Sequence, residues 1–248
     1  MPAIIIEACV NSALSAINAE KGGARRVELC DNLPEGGTTP SAGMIAKTRE
    51  ATGIALNVMI RPRSGDFCYS ETEFDIMKED VRVARERGAN GFVAGILLPD
   101  GRVDVRRMEI LMQEAGGMEL TFHRAFDMTS DKFKTMEDLI GLGAKRILTS
   151  GGKNKATEGA GLIRDLIMKA NGRIIIMPGS GVDEHTIAGL KLATGAGEFH
   201  VSGRSLFPGR MEYRNMEVSM GGITGVPEYD LWITDPRRIR KIVELAQD

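Results

Sequence analysis

The sequence predicts an α/β protein that forms a single (β/α)8 barrel, the TIM-barrel architecture, and three observations favour this fold. Eight short β-branched or apolar runs are each followed by a longer stretch of helical period. The 248 residues match the usual length of such a barrel, about 250 residues. Glycines stand between several helices and the next strand, where they can end a helix in the left-handed conformation. We therefore expect residues 1–248 to form one domain.

The predicted strands and helices alternate along the whole chain. The strands are predicted at residues 3–9, 25–30, 55–61, 91–95, 118–123, 146–150, 173–178 and 198–202. The helices are predicted at residues 12–21, 41–52, 71–87, 104–114, 132–142, 156–170, 183–193 and 235–246. Ser41 and Asp183 are expected to be helix N-caps. Parallel neighbours need a crossover, so this order indicates parallel strands. The alternative is an open doubly wound sheet, but no GxGxxG motif follows the first strand. Residues 204–230 are expected to form a long loop.

Composition narrows the class of function. Lys and Arg number 32 and Asp and Glu 34, a net charge of −2 that argues against nucleic-acid and anionic-membrane partners. No apolar run approaches the roughly 18 residues of a membrane span, and the first residues do not resemble a signal peptide. Three cysteines without a CxxC spacing indicate a reduced, cytoplasmic setting.

Ionisable side chains are predicted to face inward at the carboxyl ends of the strands, where the active sites of such barrels lie. Alternation along the strands places Glu7, Glu28, Arg61, His123 and His200 around one mouth. These residue types suit general acid–base chemistry, with a glutamate as base, a histidine as acid and the arginine orienting an anionic substrate. The alternative is a structural plug in which Arg61 forms salt bridges with the two glutamates.

The three cysteines give a second candidate site. Cys9 and Cys30 end adjacent predicted strands, and Cys68 follows the third strand, so all three thiols are expected near the mouth. Soft thiolates favour Cu(I). The alternative is that these cysteines are small buried apolar residues.

Glycine-rich turns follow the last two strands, where barrels of this kind often bind phosphate. Backbone amides in such turns can bind an anion. We therefore expect an anion site, and the alternative is that the turns only connect elements. Its candidate residues are Gly179, Ser180, Gly181, Ser202 and Gly203. Together with the mouth residues, it suggests an enzyme acting on a small anionic substrate that can carry a phosphate.

Six long and specific runs are spread over nearly the whole chain: GARRVELC at 23–30, EGGTTPS at 35–41, IRPRSGDFCYS at 60–70, TFHRAFD at 121–127, LTSG at 148–151 and MEYRN at 211–215. Together they resemble the CutC family of copper homeostasis proteins. The resemblance implies a cytoplasmic (β/α)8 barrel that takes part in copper handling and forms a homo-oligomer. Cys30 and Cys68 stand at cysteine positions of the family, so the resemblance implies them as ligands for Cu(I). Together with the convergence of the thiols it predicts a Cu(I) site of Cys30 with Cys9 or Cys68, to which His200 or His123 can be added. The enzyme hypothesis stays open beside it.

Overall fold

The structure is a computed structural model, and it describes residues 3–220 and 225–247. Within these ranges, eight parallel strands form one sheet in the order β7-β6-β5-β4-β3-β2-β1-β8. They are β1 (Ile5–Val10), β2 (Arg26–Leu29), β3 (Ala55–Met59), β4 (Gly91–Ala94), β5 (Glu119–Phe122), β6 (Arg146–Thr149), β7 (Ile175–Pro178) and β8 (Glu198–Val201). Because β7 also lies beside β8, the sheet curves into a barrel, and the predicted fold is confirmed. The single-domain organisation of residues 1–248 stays a prediction.

Helices follow the strands and pack outside the barrel. They are α1 (Ala13–Lys21), α2 (Ala42–Ala51), α3 (Glu71–Glu86), α4 (Val105–Ala115), α5 (Lys132–Leu142), α6 (Ala160–Ala170), α7 (Ile187–Thr194) and α8 (Pro236–Gln247). Ser41 is confirmed as an N-cap, since its hydroxyl accepts from the Met44 amide. Helices α6 and α7 begin later than predicted. The Asp183 carboxylate accepts from the amides of His185 and Thr186, so it caps a turn that precedes α7.

A β-hairpin replaces part of the loop predicted at residues 204–230. Strand β9 (Arg204–Pro208) pairs antiparallel with β10 (Asp230–Thr234). The expectation of an irregular segment is therefore wrong at both ends of this stretch. Between the strands, Met211, Met216 and Met220 are exposed. Residues 221–224, which the predicted loop also contained, lie outside the described residues.

Two different environments lie on the two faces of the barrel sheet. On the outer face, Val27 and Leu29 of β2 are fully buried in the hydrophobic core that joins the strands to the helices. The inner face carries charged and polar groups that are also buried, such as Glu7, Arg26 and Asn57. In the described part of the chain, no helix combines the length and apolar character needed to cross a membrane.

Helix α8 packs closely against the end of α1 and the turn after β8. The side chain of Ile239 is fully buried there. A Cβ atom added at Gly22 would lie 2.5 Å from Ile239 Cβ, and one added at Gly203 would lie 2.4 Å from Ile239 Cδ1. Both glycines therefore permit a close approach, and Gly203 also has a positive φ of 52°.

We expect Ile239→Ala to lower the free energy of unfolding by about 2–5 kcal/mol, because it leaves a cavity in this contact. Leu192→Ala is the matched control, since Leu192 is exposed and its truncation should change stability by less than about 0.5 kcal/mol. Urea unfolding followed by circular dichroism measures both. Equal losses in the two variants would contradict the packing described for α8.

Candidate functional site

A network of buried charges fills the interior of the barrel. The guanidinium of Arg26 donates to the carboxylates of Glu7 and Glu198. Arg146 donates to the buried Glu198 at 3.3 Å, and at 2.9 Å to Glu119, whose half-exposed side chain lies at the edge of the network. Since a buried charge is costly unless it is paired and hydrogen-bonded, each of these groups stabilises the others.

Sequence analysis missed Arg26, Arg146 and Glu198 as interior residues. The signal was present, because residues 26 and 28 share one face of β2, and residues 198 and 200 share one face of β8. These three groups lie deeper in the barrel than the carboxyl ends of the strands, where the predicted site residues lie.

Arg61 does not join this network, so the structural plug predicted between Arg61 and the glutamates is wrong. No ion pair of Arg61 occurs within residues 3–220 and 225–247. Its Nη1 instead donates to the carbonyls of Glu35 at 3.0 Å and Gly37 at 2.8 Å, and its Nη2 donates to Gly65 at 3.1 Å. The segments after β2 and β3 therefore fix the guanidinium at the mouth, and Arg26 is the arginine that pairs with Glu7.

His200 links the interior network to the mouth. Its Nδ1 lies 2.8 Å from Glu7 Oε1, and its Nε2 lies 3.7 Å from Glu28 Oε2. Burial opposes the charged imidazolium, but the Glu28 carboxylate and the hydrogen bond to Glu7 hold the pKa of His200 well above its usual value. The predicted convergence of these three side chains is thus seen in the structure.

The two glutamates differ in their electrostatics. Burial raises the pKa of Glu7, but the Arg26 charge and the hydrogen bond from His200 outweigh it and lower this pKa to about 2. Burial raises the pKa of Glu28 above 4.5, although His200 opposes the shift. The Arg26 guanidinium is hydrogen-bonded to Glu7, whereas Glu28 has no such partner among the described residues. The ionised form of Glu28 is therefore stabilised less than the ionised form of Glu7.

Cys9 and Cys30 form a thiol pair beside Glu28. Their Sγ atoms lie 3.5 Å apart, because parallel pairing sets Cys9 opposite Glu28 and brings Cys30 diagonally close. A donor atom from each of Cys9, Glu28 and Cys30 lies within 4.8 Å of the other two. The hydrogen bond with Cys30 and burial raise the pKa of Cys9 well above 9. Among the described residues, Cys68 belongs to no such group, although its side chain lies at the same mouth.

His123 is buried on the opposite side of the mouth. Its Nδ1 accepts from the Ala125 amide at 3.2 Å, and its ring lies 5.0 Å from the ring of Phe67, measured between centroids. Burial and the nearby Arg61 charge lower the pKa of His123 to about 3. The imidazole is therefore neutral at physiological pH.

One cavity of about 870 Å³ joins the candidate sites at the carboxyl ends of the strands. The predicted residues that line it are Cys9, Glu28, Arg61, Cys68, His123, Ser180, Gly181, His200, Ser202 and Gly203. Three predicted residues, Glu7, Cys30 and Gly179, do not line it. Glu7 and Cys30 support His200 and Cys9, while Gly179 packs tightly against Leu148.

Arg124 and Asp127 also line the cavity, and sequence analysis did not single them out. The Asp127 carboxylate accepts from the amides of Ser150 at 3.0 Å and Gly152 at 2.9 Å. Because the amides of Ser150 and Gly152 already donate to Asp127, the glycine turn after β6 does not offer them to a ligand. The position of Asp127 just after β5, in the run TFHRAFD, was the available signal.

Comparison with known proteins identifies the family. The model of the CutC family matches residues 4–205. The chain belongs to the CutC family. It is 44% identical over 244 residues to a human protein described as copper homeostasis protein cutC homolog, covering 98% of this chain and 89% of the relative. It is 48% identical over 240 residues to a CutC family protein of Chromobacterium violaceum, covering 97% of each.

Solved structures agree with the fold. The crystal structure of the CutC protein from Streptococcus agalactiae is 38% identical and superposes with a TM-score of 0.77, covering 80% of this chain and 98% of that one. A phosphoribosylanthranilate isomerase from Thermotoga maritima, at 12% identity, superposes with a TM-score of 0.58 over 98% of both chains. At that identity the likeness shows the barrel fold alone.

In this CutC-family chain we expect Arg26→Met to lower the free energy of unfolding at pH 7 by about 3–5 kcal/mol. The substitution leaves Glu7 buried without its main partner. The folded-state pKa of Glu7 is depressed from 4.5 to about 2. Its contribution is therefore present above pH 4.5 and is lost as the pH falls towards 2. The difference in the free energy of unfolding between wild type and Arg26→Met should therefore become smaller as the pH falls from 4.5 towards 2.

Urea unfolding at several pH values tests this expectation. Arg82→Met is the matched control, because Arg82 pairs with Glu114 on the exposed surface and its loss should have a much smaller effect. A deficit in Arg26→Met that is independent of pH would contradict the assigned role of the Arg26–Glu7 pair.

Proposed function

We propose that the protein takes part in copper handling and binds Cu(I) between Cys9 and Cys30. The single observation that carries this proposal is the pair of Sγ atoms, 3.5 Å apart and next to a large cavity. Two converging thiolates are the soft ligands that Cu(I) prefers. The copper role is supported by relatives such as the human protein described as copper homeostasis protein cutC homolog.

The donor set fits a copper ion that is carried as cargo. All three cysteines are free thiols, and Cys9 lines the cavity through which an ion can arrive. The high pKa of Cys9 means that this thiol is protonated before the metal binds. Cu(I) binding therefore releases a proton from Cys9, and affinity should fall as the pH falls. The neighbouring carboxylate of Glu28 is a harder donor and is less suited to Cu(I).

The location and the oligomeric state of the protein are part of the same proposal. Free thiols and the copper role favour a reduced, cytoplasmic location. A homo-oligomer stays a prediction, supported by the exposed apolar side chains of Leu206, Leu231 and Trp232 on the β9–β10 hairpin.

We expect Cys9→Ser and Cys30→Ser each to lower the Cu(I) affinity of the reduced protein by more than about tenfold, or about 1.4 kcal/mol. Each substitution removes one of the two soft ligands. Competition with a chromogenic Cu(I) chelator measures the affinity under anaerobic conditions.

Cys68→Ser is the matched control. Cys68 lines the same cavity but lies outside the group formed by Cys9, Glu28 and Cys30. The sequence also predicted Cys68 as a Cu(I) ligand, and this variant tests that prediction: if the site is the Cys9–Cys30 pair alone, Cys68→Ser leaves the Cu(I) affinity unchanged. If Cys68→Ser weakens binding while Cys9→Ser and Cys30→Ser do not, the assigned thiol pair is incorrect.

A second candidate function is acid–base chemistry on a small anionic substrate. Three buried polar atoms at the mouth have no hydrogen-bond partner among the described residues: Glu28 Oε1, Arg61 Nε and His123 Nε2. Buried polar atoms are nearly always hydrogen-bonded, so three unpaired ones around one cavity favour a polar ligand. Glu7 and His200 lie beside Glu28 and complete the set of residues expected to act on it.

A further inference from the structure

The structure fixes which nitrogen of His123 carries the proton. Because Nδ1 accepts from the Ala125 amide, the neutral imidazole carries its proton on Nε2. This Nε2 is buried, and no described residue accepts from it. His123 therefore carries one N–H donor, held in a defined direction, for which the described residues supply no acceptor.

Arg61 presents a second donor of the same kind. Three carbonyls hold its terminal nitrogens, whereas its buried Nε has no acceptor among the described residues. The guanidinium carbon lies 5.3 Å from the centroid of Phe67, and that ring lies 5.0 Å from His123. Arg61 and His123 thus flank the same aromatic side chain, and both residues line one cavity. Their unpaired nitrogens are covered by the cavity wall in this structure, so a ligand must displace part of that wall to reach them.

The turns after β7 and β8 form another side of this cavity. Gly181 and Gly203 line it, and the hydrogen bonds within the described ranges leave their amide N–H groups without an acceptor. Ser202 and Arg204 lie beside them at the cavity wall. Amides of glycine turns at this position of the barrel, with a hydroxyl and a guanidinium nearby, suit a phosphate group.

We propose that this cavity binds a small phosphorylated carbonyl compound. Its carbonyl oxygen accepts from His123 Nε2 and Arg61 Nε, and its phosphate lies at the turns of Gly181 and Gly203. The inference rests on the second candidate function, a small anionic ligand, and it does not depend on copper. The volume of about 870 Å³ falls within the usual range of small-molecule sites, about 300–1,000 Å³. A neutral imidazole donor can polarise a carbonyl without giving up its proton.

Two probes that differ only at the carbonyl test the proposal. Dihydroxyacetone phosphate carries the carbonyl, and glycerol 3-phosphate carries a hydroxyl in its place. Isothermal titration calorimetry on the reduced full-length protein should show dihydroxyacetone phosphate binding at least about tenfold more tightly. Equal affinity for the two probes would overturn the assignment of the carbonyl site, and no binding of either would overturn the whole proposal.

Two variants of His123 test whether this residue is the donor that distinguishes the carbonyl probe from the hydroxyl probe. The amide of His123→Gln can place a donor near the position of Nε2, whereas the shorter His123→Asn cannot. We expect His123→Asn to abolish the preference for the carbonyl probe and His123→Gln to retain part of it. Ser202→Ala should weaken both probes equally. If His123→Asn keeps the full preference, His123 is not the donor.

The Cu(I) site and the carbonyl site are assigned to different residues, so they can be tested separately. His123→Asn should leave Cu(I) affinity unchanged, because the ring lies outside the Cys9–Cys30 pair. Loss of Cu(I) binding together with loss of the carbonyl preference would mean that the two sites are not independent and would contradict this assignment. If a His123 variant does not fold, the comparison of the two probes on the wild-type protein still decides the proposal.

Discussion

The pairing of Arg26 with Glu7 is the interaction on which the interior of this barrel depends. Glu7 is fully buried, and a carboxylate in that position needs a compensating charge. Arg26 supplies it, and Glu7 in turn accepts from His200, which faces Glu28 and the mouth. The charge on one buried arginine is thereby coupled to the groups that line the cavity. We therefore expect a substitution of Arg26 to change the electrostatics of His200 and Glu28 at the mouth.

The mouth itself has two chemically different sides. On the side of β1 and β2, the thiols of Cys9 and Cys30 are soft ligands next to a buried carboxylate. On the side of the segments that follow β3 and β5, Arg61 and His123 are hydrogen-bond donors without acceptors among the described residues. Soft sulfur suits Cu(I), whereas unpaired N–H donors suit an oxygen-rich anion. One cavity can therefore serve a metal ion and a small molecule through separate residues.

Alternation along eight strands was sufficient to predict the barrel, the convergence of Glu7, Glu28 and His200, and the closeness of Cys9 to Cys30. These features follow from period and topology, which the sequence carries directly. The partners of Arg61 could not be predicted, because they are backbone carbonyls of loops whose path depends on tertiary packing. The separation of Cys68 from the other thiols has the same origin. The free Nε2 of His123 depends on one local hydrogen bond, from the Ala125 amide, that no sequence pattern signals.

The proposed Cu(I) site is the thiol pair of Cys9 and Cys30. X-ray absorption spectroscopy at the copper K edge, on reduced protein loaded with one equivalent of Cu(I), identifies the atoms bound to the metal. If Cys9 and Cys30 bind the ion, the spectrum shows coordination dominated by two sulfur atoms, one from each cysteine. Coordination made up of nitrogen and oxygen, without sulfur, would contradict this assignment.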